Sequence, residues 1–266
     1  MKGKLIAVVA ILSVVIAFEA GCNNENNGKK STVVKNENAN TSPVIDTLHA
    51  GTVTLYVSAA TEQEYQQVPR SGFDAYAHTN AEEPAIMAAA GGAIARNGRA
   101  LVITAANGKV LQLINREFSD EELQATEPSS YTCYADLKNM GYWLIAHSVP
   151  DFSNWIFVNK QTGDTSQVMA YGAISPSGKY YMATLCGGEG SPCNNGELYL
   201  YENKQSKMAL AADVELMPGK VWMPDEIKWI SDTKAVAKVK LAEDEEGNTI
   251  ADSKKPMPQY VVLEMK

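Results

Sequence analysis

The chain has 266 residues, 45% of them hydrophobic, and a formal charge of −8. That is enough for one large domain or two small ones with a sizeable core. The acidic balance argues against a nucleic-acid binder, which carries a basic patch, and against adsorption to anionic lipid.

The first segment is an address. Met1-Lys2-Gly3-Lys4 is basic, and Leu5 to Phe18 is an apolar run too short to span a bilayer comfortably. Ala20-Gly21 then precede Cys22. The arrangement resembles a bacterial lipoprotein signal, with Glu19 where such signals carry leucine. The resemblance implies that residues 1–21 are removed and that Cys22 becomes a lipid-bearing first residue, held to the membrane by its acyl chains. Residues 22–46 read as the lipidated cysteine and a flexible tether, Asn-rich and without apolar periodicity. Its mean reach as a coil is about 25 Å. The globular domain is expected over 47–266.

From there the pattern is mostly strands. Gly51 to Ser58 alternates, and Thr61-Glu62-Gln63-Glu64 has capping-box spacing for a short helix to Val68. Arg70 to Asn80 reads as loop, and Asn80 to Ala90 as a short helical turn before Gly91-Gly92. Gly98 to Thr104 is a strand, Asn107-Gly108 a tight hairpin turn, and Lys109 to Ile114 the return. Ser119-Asp120-Glu121-Glu122 is a second capping box, stopped by Pro128. Further strands are expected at Tyr131–Leu137, Tyr142–His147, Asn154–Val158, Gln167–Ala170, Lys179–Leu185, Glu197–Tyr201, Lys207–Leu210, Glu226–Ile230, Lys234–Leu241 and Tyr260–Met265.

Gly98, Gly141, Gly178 and Thr233 each precede an apolar strand, at spacings of 43, 37 and 55 residues. After each comes a second strand: Lys109–Ile114, Asn154–Val158, Glu197–Tyr201 and Gln259–Met265. Propeller blades repeat at about 40–45 residues, and a single blade must stack on its neighbours to cover both faces. Ser175-Pro176-Ser177-Gly178-Lys179-Tyr180-Tyr181 resembles the turn-and-strand motif of TolB-like β-propeller repeats, with Ser177 in place of the usual aspartate. Trp229 to Lys234 is a looser copy. The resemblance implies an all-β array of antiparallel blades, about five of them at the usual repeat length. Gly51–Ser58 would close the ring with the last blade. A two-sheet β-sandwich is the alternative. Propellers host unrelated activities, so the fold implies no reaction.

Cys186 and Cys193 bracket a glycine-rich loop and are expected to pair in an oxidising compartment; Cys133 reads as a buried small hydrophobe. No residue set stands out as catalytic or metal-binding. His49, His78 and His147 are scattered, and His147 reads as a strand-end residue with a structural hydrogen bond. The acidic loop Glu243 to Asn248, with Asp252, lacks the alternating spacing of a calcium loop and reads as a solvated hairpin tip. Aromatic residues concentrate in the repeats. Trp143, Trp155 and Tyr181 are candidate ligand contacts, against the alternative that they fill the core between blades. Trp222, between Pro218 and Pro224, reads as an exposed loop anchor. The expectation is a cofactor-free, non-enzymatic module, lipid-anchored at a bacterial cell envelope on its periplasmic or outer face. Its ligand would be a protein, peptide or glycan, not nucleic acid. The alternatives are a hydrolase or lyase whose carboxylates converge in the fold, and a structural envelope protein.

Overall fold

The computed structural model describes residues 42–69, 82–117, 128–150, 152–169, 171–186, 196–216, 221–243, 249 and 256–266, all within one unit, Thr41–Lys266. In chain order the elements are β1 (Val44–Ala50), β2 (Val53–Ala60), α1 (Glu62–Gln67), α2 (Glu83–Ala89), β3 (Ile94–Asn97), β4 (Ala100–Thr104), β5 (Val110–Ile114), β6 (Ser130–Leu137), β7 (Tyr142–Val149) and β8 (Phe152–Asn159). They continue with β9 (Thr165–Met169), β10 (Tyr171–Ile174), β11 (Tyr180–Cys186), β12 (Gly196–Lys204), β13 (Lys207–Glu215), β14 (Trp222–Ser231), β15 (Lys234–Leu241) and β16 (Tyr260–Met265).

The fold is all-β. The strands form four antiparallel sheets, none of them closed: β3-β4-β5, β6-β7-β8-β9, β10-β11-β12-β13, and β14-β15-β16-β2-β1. Each of the first three is a meander of consecutive strands. The fourth joins the two ends of the domain, because β2 pairs with β16 from Tyr260↔Ala60 to Met265↔Leu55. Gly51–Ser58 thus does meet the last sheet. Gly98, Gly141, Gly178 and Thr233 stand in the turns between the first and second strands of the four sheets. The strands expected to follow them, β5, β8, β12 and β16, are all third in their sheets. Among the described residues there are four sheets, where a count from repeat length gave about five.

Packing follows from the two-residue period of a strand. In β7, Trp143 and Ile145 point to the first sheet, where they join Leu101 and Ile103. Tyr142 and Leu144 point the other way, joining Tyr181 and Ala183 of the third sheet. In turn Met182, Leu198 and Leu200 of the third sheet pack on Leu55, Val57, Ala235 and Leu263 of the fourth. The second and third sheets are therefore covered on both faces. Phe157 sits between Tyr142 and Tyr181, edge-on to both at 5.8 and 5.4 Å, the geometry aromatic quadrupoles favour.

The helices are clamps. Both halves of the α1 capping box form between Thr61 and Glu64, as the spacing indicates. The buried Tyr65 of α1 fastens it to the fourth sheet: its hydroxyl donates to the Glu226 carbonyl at 3.2 Å, while the Lys228 ammonium donates to its carbonyl at 3.1 Å and lies 3.8 Å from its ring centre. A buried lysine needs such partners. In α2, Glu83 takes a paired contact from Arg96 and accepts from the Cys133 amide at 2.7 Å, pinning the helix across two sheets.

Several boundaries differ from the sequence reading. β1 begins at Val44, inside the segment read as tether. It is held by pairing to β2 from Val44↔Ser58 onward, which local composition does not reveal. β3 is absent from the sequence reading because Ile94–Asn97 is short and polar. The stretch around Trp222 is strand rather than loop: β14 runs from Trp222 through Pro224. Proline is tolerated there because β14 is an edge strand, bulged between Asp225 and Lys228. The signal segment, Cys22, most of the tether, the 70–80 loop, the Ser119–Glu122 capping box, Cys193 and Asp244 to Asn248 with Asp252 lie outside the described residues.

Candidate functional site

The hairpin turns of neighbouring sheets are cross-linked at one end. In the outer row, the β4–β5 turn meets the β8–β9 turn: the Ala106 amide donates to the Lys160 carbonyl at 2.8 Å and the Asn107 side chain to the Thr162 carbonyl at 3.1 Å. The β8–β9 turn meets the β12–β13 turn through Asn159, whose side-chain amide donates to the Ser206 carbonyl at 3.1 Å. In the inner row, Gly178 of the β10–β11 turn lies against Met140 of the β6–β7 turn. A Cβ on Gly178 would stand 2.6 Å from Met140 Cγ, and its φ of +75° favours glycine as well. The next contact is with the β14–β15 turn, where the Ser177 amide donates to Asp232 Oδ1 at 3.1 Å.

Beside this inner row is a cleft of about 650 Å³, where the first strands of the second, third and fourth sheets end and α1 exits. One wall is Asp136 to Met140, another Ile174 to Gly178, a third Trp229 and Ile230, and the fourth Gln67 to Pro69. The floor is buried Leu137, Met140, Ile174 and Trp229, and Ile230 stands 45% exposed at the rim. Trp229 is fixed by donating its indole N–H to the Ala173 carbonyl at 2.9 Å. Asp136 is the one carboxylate among the described residues of the wall, and it is ion-paired with Lys160. Lys160 also lies 5.6 Å over the Trp143 ring. The Ser175 hydroxyl is committed to turn geometry, accepting from the Tyr180 amide at 3.1 Å. Among the described residues the cleft therefore offers an apolar floor, a few polar side chains and no prepared nucleophile.

The four aromatic candidates are not surface contacts. Trp143 joins the core between the first and second sheets, Trp155 and Tyr181 that between the second and third. Trp222 is 3% exposed and packs between the third and fourth, its indole N–H donating to Asp46 Oδ2 at 3.3 Å. The exposed-anchor reading of Trp222 is corrected by that burial. The residues flanking it had only turn chemistry to offer, and β1, which supplies Asp46, was unread. Trp229, one of the aromatic residues concentrated in the repeats, is the tryptophan that reaches the cleft. Its turn was aligned with Gly141 and Gly178, and the three aligned turns are the ones that converge. The contribution of Gln67 to Pro69 had no signal in the sequence.

The remaining candidates are dispersed. His147 stacks on Tyr131 across the β6–β7 pair, 4.5 Å between centroids and nearly parallel. His49 Nδ1 lies 3.3 Å from Thr54 Oγ1. His78 is outside the described residues. Cys133 is buried, as expected, and its thiol is pushed up to about 12 by burial, aided by the nearby Glu83 and Asp136 carboxylates. Cys186 ends β11, and the pairing expected of it falls on residues not described. Among the described residues, no three His, Cys, Asp or Glu side chains are grouped to hold a metal, and no helix is long and apolar enough to cross a membrane.

No protein-family model, curated protein or solved structure matches the chain.

Proposed function

We propose that the chain is a lipid-anchored binding module of a bacterial cell envelope, built as a small β-propeller with the four sheets as blades. Cys22 carries the lipid, residues from Asn23 to the start of β1 form the tether, and the cleft takes the ligand. The observation that carries this reading is the cleft itself. Its volume is within the range of about 300–1,000 Å³ usual for ligand sites. Its floor is apolar and immobilised, and the rigid hairpin turns of successive sheets supply its walls. The propeller reading draws on three features: each sheet is stacked on the next, the first hairpin turns align in sequence, and the last sheet joins both ends of the domain.

A peptide or protein segment fits this lining better than a glycan. Proline and aliphatic groups at the rim match apolar side chains, whereas sugar sites present exposed aromatic faces. A hydrolase working through paired carboxylates needs two acids about 5–10 Å apart, and the described lining holds Asp136 alone.

The test is capture from envelope extract by the full chain, in parallel with an Ile230→Asp variant. Ile230 is at the rim and half exposed, so the substitution charges the cleft mouth without opening the core. The proposal expects a specific partner that the variant loses. Equal capture by both chains, or turnover of an envelope polymer that depends on Asp136, would contradict it. Mass spectrometry of the membrane fraction tests the anchor: a mature chain beginning at acylated Cys22 supports it, and an unmodified Cys22 refutes it.

A further inference from the structure

The end of the domain on which the cleft opens is rich in lysine, in a chain of formal charge −8. Six hairpins turn there, and each brings a lysine into or beside its turn: Lys109, Lys138, Lys160, Lys179, Lys204 and Lys234 in chain order. The described carboxylates at this end are engaged with them. Asp164 holds Lys109 at 2.9 Å, Asp136 holds Lys160, and Glu202 holds Lys204 at 2.6 Å and Lys179 at 3.8 Å. Asp232 lies beside Lys179, and Lys234 faces Glu264 across the β15–β16 pair.

Two cations are left over. Lys138 and Lys207 are exposed, and among the described residues neither has an ion pair. Lys138 stands in the wall of the cleft. Lys207 directly opposes Lys204 across the β12–β13 hairpin. Like charges so placed cost stability, so the sheet gains nothing from the pair. At the opposite end the opposed pair on the same two strands is acidic, Glu197 against Glu215. Charge of one sign around a low-dielectric cleft concentrates ligands of the other sign.

We infer, resting on the reading of the cleft as a ligand site, that its partner is an acidic protein segment. An apolar side chain enters between Met140, Ile174 and Ile230, and Asp or Glu residues flanking it meet Lys138 at the wall and Lys207 further out on the same end. Nucleic acid or lipid headgroups would use the lysines and leave the apolar floor unfilled. A neutral peptide would fill the floor and leave Lys138 without a counter-charge. The fold also does not aim these lysines at an anchoring membrane. The β1–β2 turn lies on the lysine-bearing end, where the Lys266 amide donates to the Thr54 carbonyl at 3.2 Å, so Val44 and the chain leading to it are at the other end.

A phage library of random peptides, selected on the full chain and depleted of clones that also bind Ile230→Asn, tests this chemistry. Ile230→Asn makes the rim polar without changing its charge. The enriched peptides should carry an apolar residue flanked by Asp or Glu. A synthetic copy of the leading peptide should bind less tightly as salt screens the lysines. Lys138→Glu should weaken it by about tenfold or more at low salt, and Lys207→Glu by less. Both variants should melt as wild type does, because the two side chains are exposed. Changing the peptide's Asp and Glu to Asn and Gln should erase the difference between wild type and Lys138→Glu. Neutral or basic peptides that depend on Ile230 would overturn the acidic partner and leave the cleft reading standing. Enrichment of no peptide that Ile230→Asn loses would overturn both. An acidic peptide held equally by wild type and Lys138→Glu would overturn the inference. So would phosphatidylglycerol vesicles or single-stranded DNA that Lys138→Glu releases and Ile230→Asn retains.

Discussion

Asp232 in the β14–β15 turn accepts the Ser177 amide of the β10–β11 turn at 3.1 Å, joining two turns that are 55 residues apart in the chain. Burial pushes the Asp232 carboxyl up, but hydrogen bonds from Ser177 and Ser175 and the nearby Lys179 ammonium outweigh it and hold the group below the usual carboxylate value. A lowered folded value means that the contribution is present above the ordinary aspartate pKa of about 3.9 and is lost as pH falls through the folded value. Asp232→Ala should cost about 0.5–1.5 kcal/mol at neutral pH. The gap between wild type and variant in urea titrations should narrow as pH drops below about 4. A gap that persists or widens in acid would contradict this assignment.

Gly172 in β10 has a different reason to be glycine. A Cβ there would stand 2.2 Å from the Met182 carbonyl oxygen and 2.8 Å from Ala183 Cα, both backbone atoms of the paired strand. Backbone cannot step aside as a side-chain tip can. Gly172→Ala should destabilise by about 1–3 kcal/mol through overpacking, more than Gly51→Ala, where a Cβ meets nothing within 4 Å and only the positive φ is strained. Equilibrium unfolding of the two variants checks the order.

Thiol counts separate the cysteines. Cys133 is buried with its thiol pushed up to about 12, so the folded chain should resist alkylation there at pH 8, because the thiolate is the reacting form. With Cys22 acylated and Cys186 paired to Cys193, unfolding without reductant should expose a single thiol, that of Cys133. Three free thiols would remove the disulfide.

Trp222→Ala should behave as a core deletion. Trp222 is 3% exposed in the core shared by the third and fourth sheets, so the substitution should cost about 3–5 kcal/mol. Any loss of partner capture should then track unfolding, measured by thermal melts in parallel. A fully stable variant with selective loss of capture would restore the anchor reading.

The sequence was most informative where local chemistry decides structure. Asn107-Gly108, Gly141 and Gly178 mark turns that need positive φ, and each does stand in a hairpin turn with φ of +85°, +76° and +75°. The capping box at Thr61 fixed α1 for the same local reason. What stayed hidden depends on partners distant in the chain. Val44 is strand because Ser58 pairs with it, and Trp222 is buried between the third and fourth sheets, its indole bonded to Asp46 of β1. The cleft is of both kinds: Met140, Ile174 and Trp229 flank the turns that the repeat aligns, whereas Val68 joins them only when three sheets and a helix exit are assembled.

The most direct test of the binding account is methyl chemical-shift mapping of the full chain with the partner captured from envelope extract. Ile174, Ile230 and Met140 line the cleft from separate walls, whereas Ile114 on β5 lies on a different sheet. The account predicts that the first three shift together and saturably as partner is added, while Ile114 keeps its position. Shifts confined to β5, or saturable binding that leaves all three cleft methyls unmoved, would contradict it.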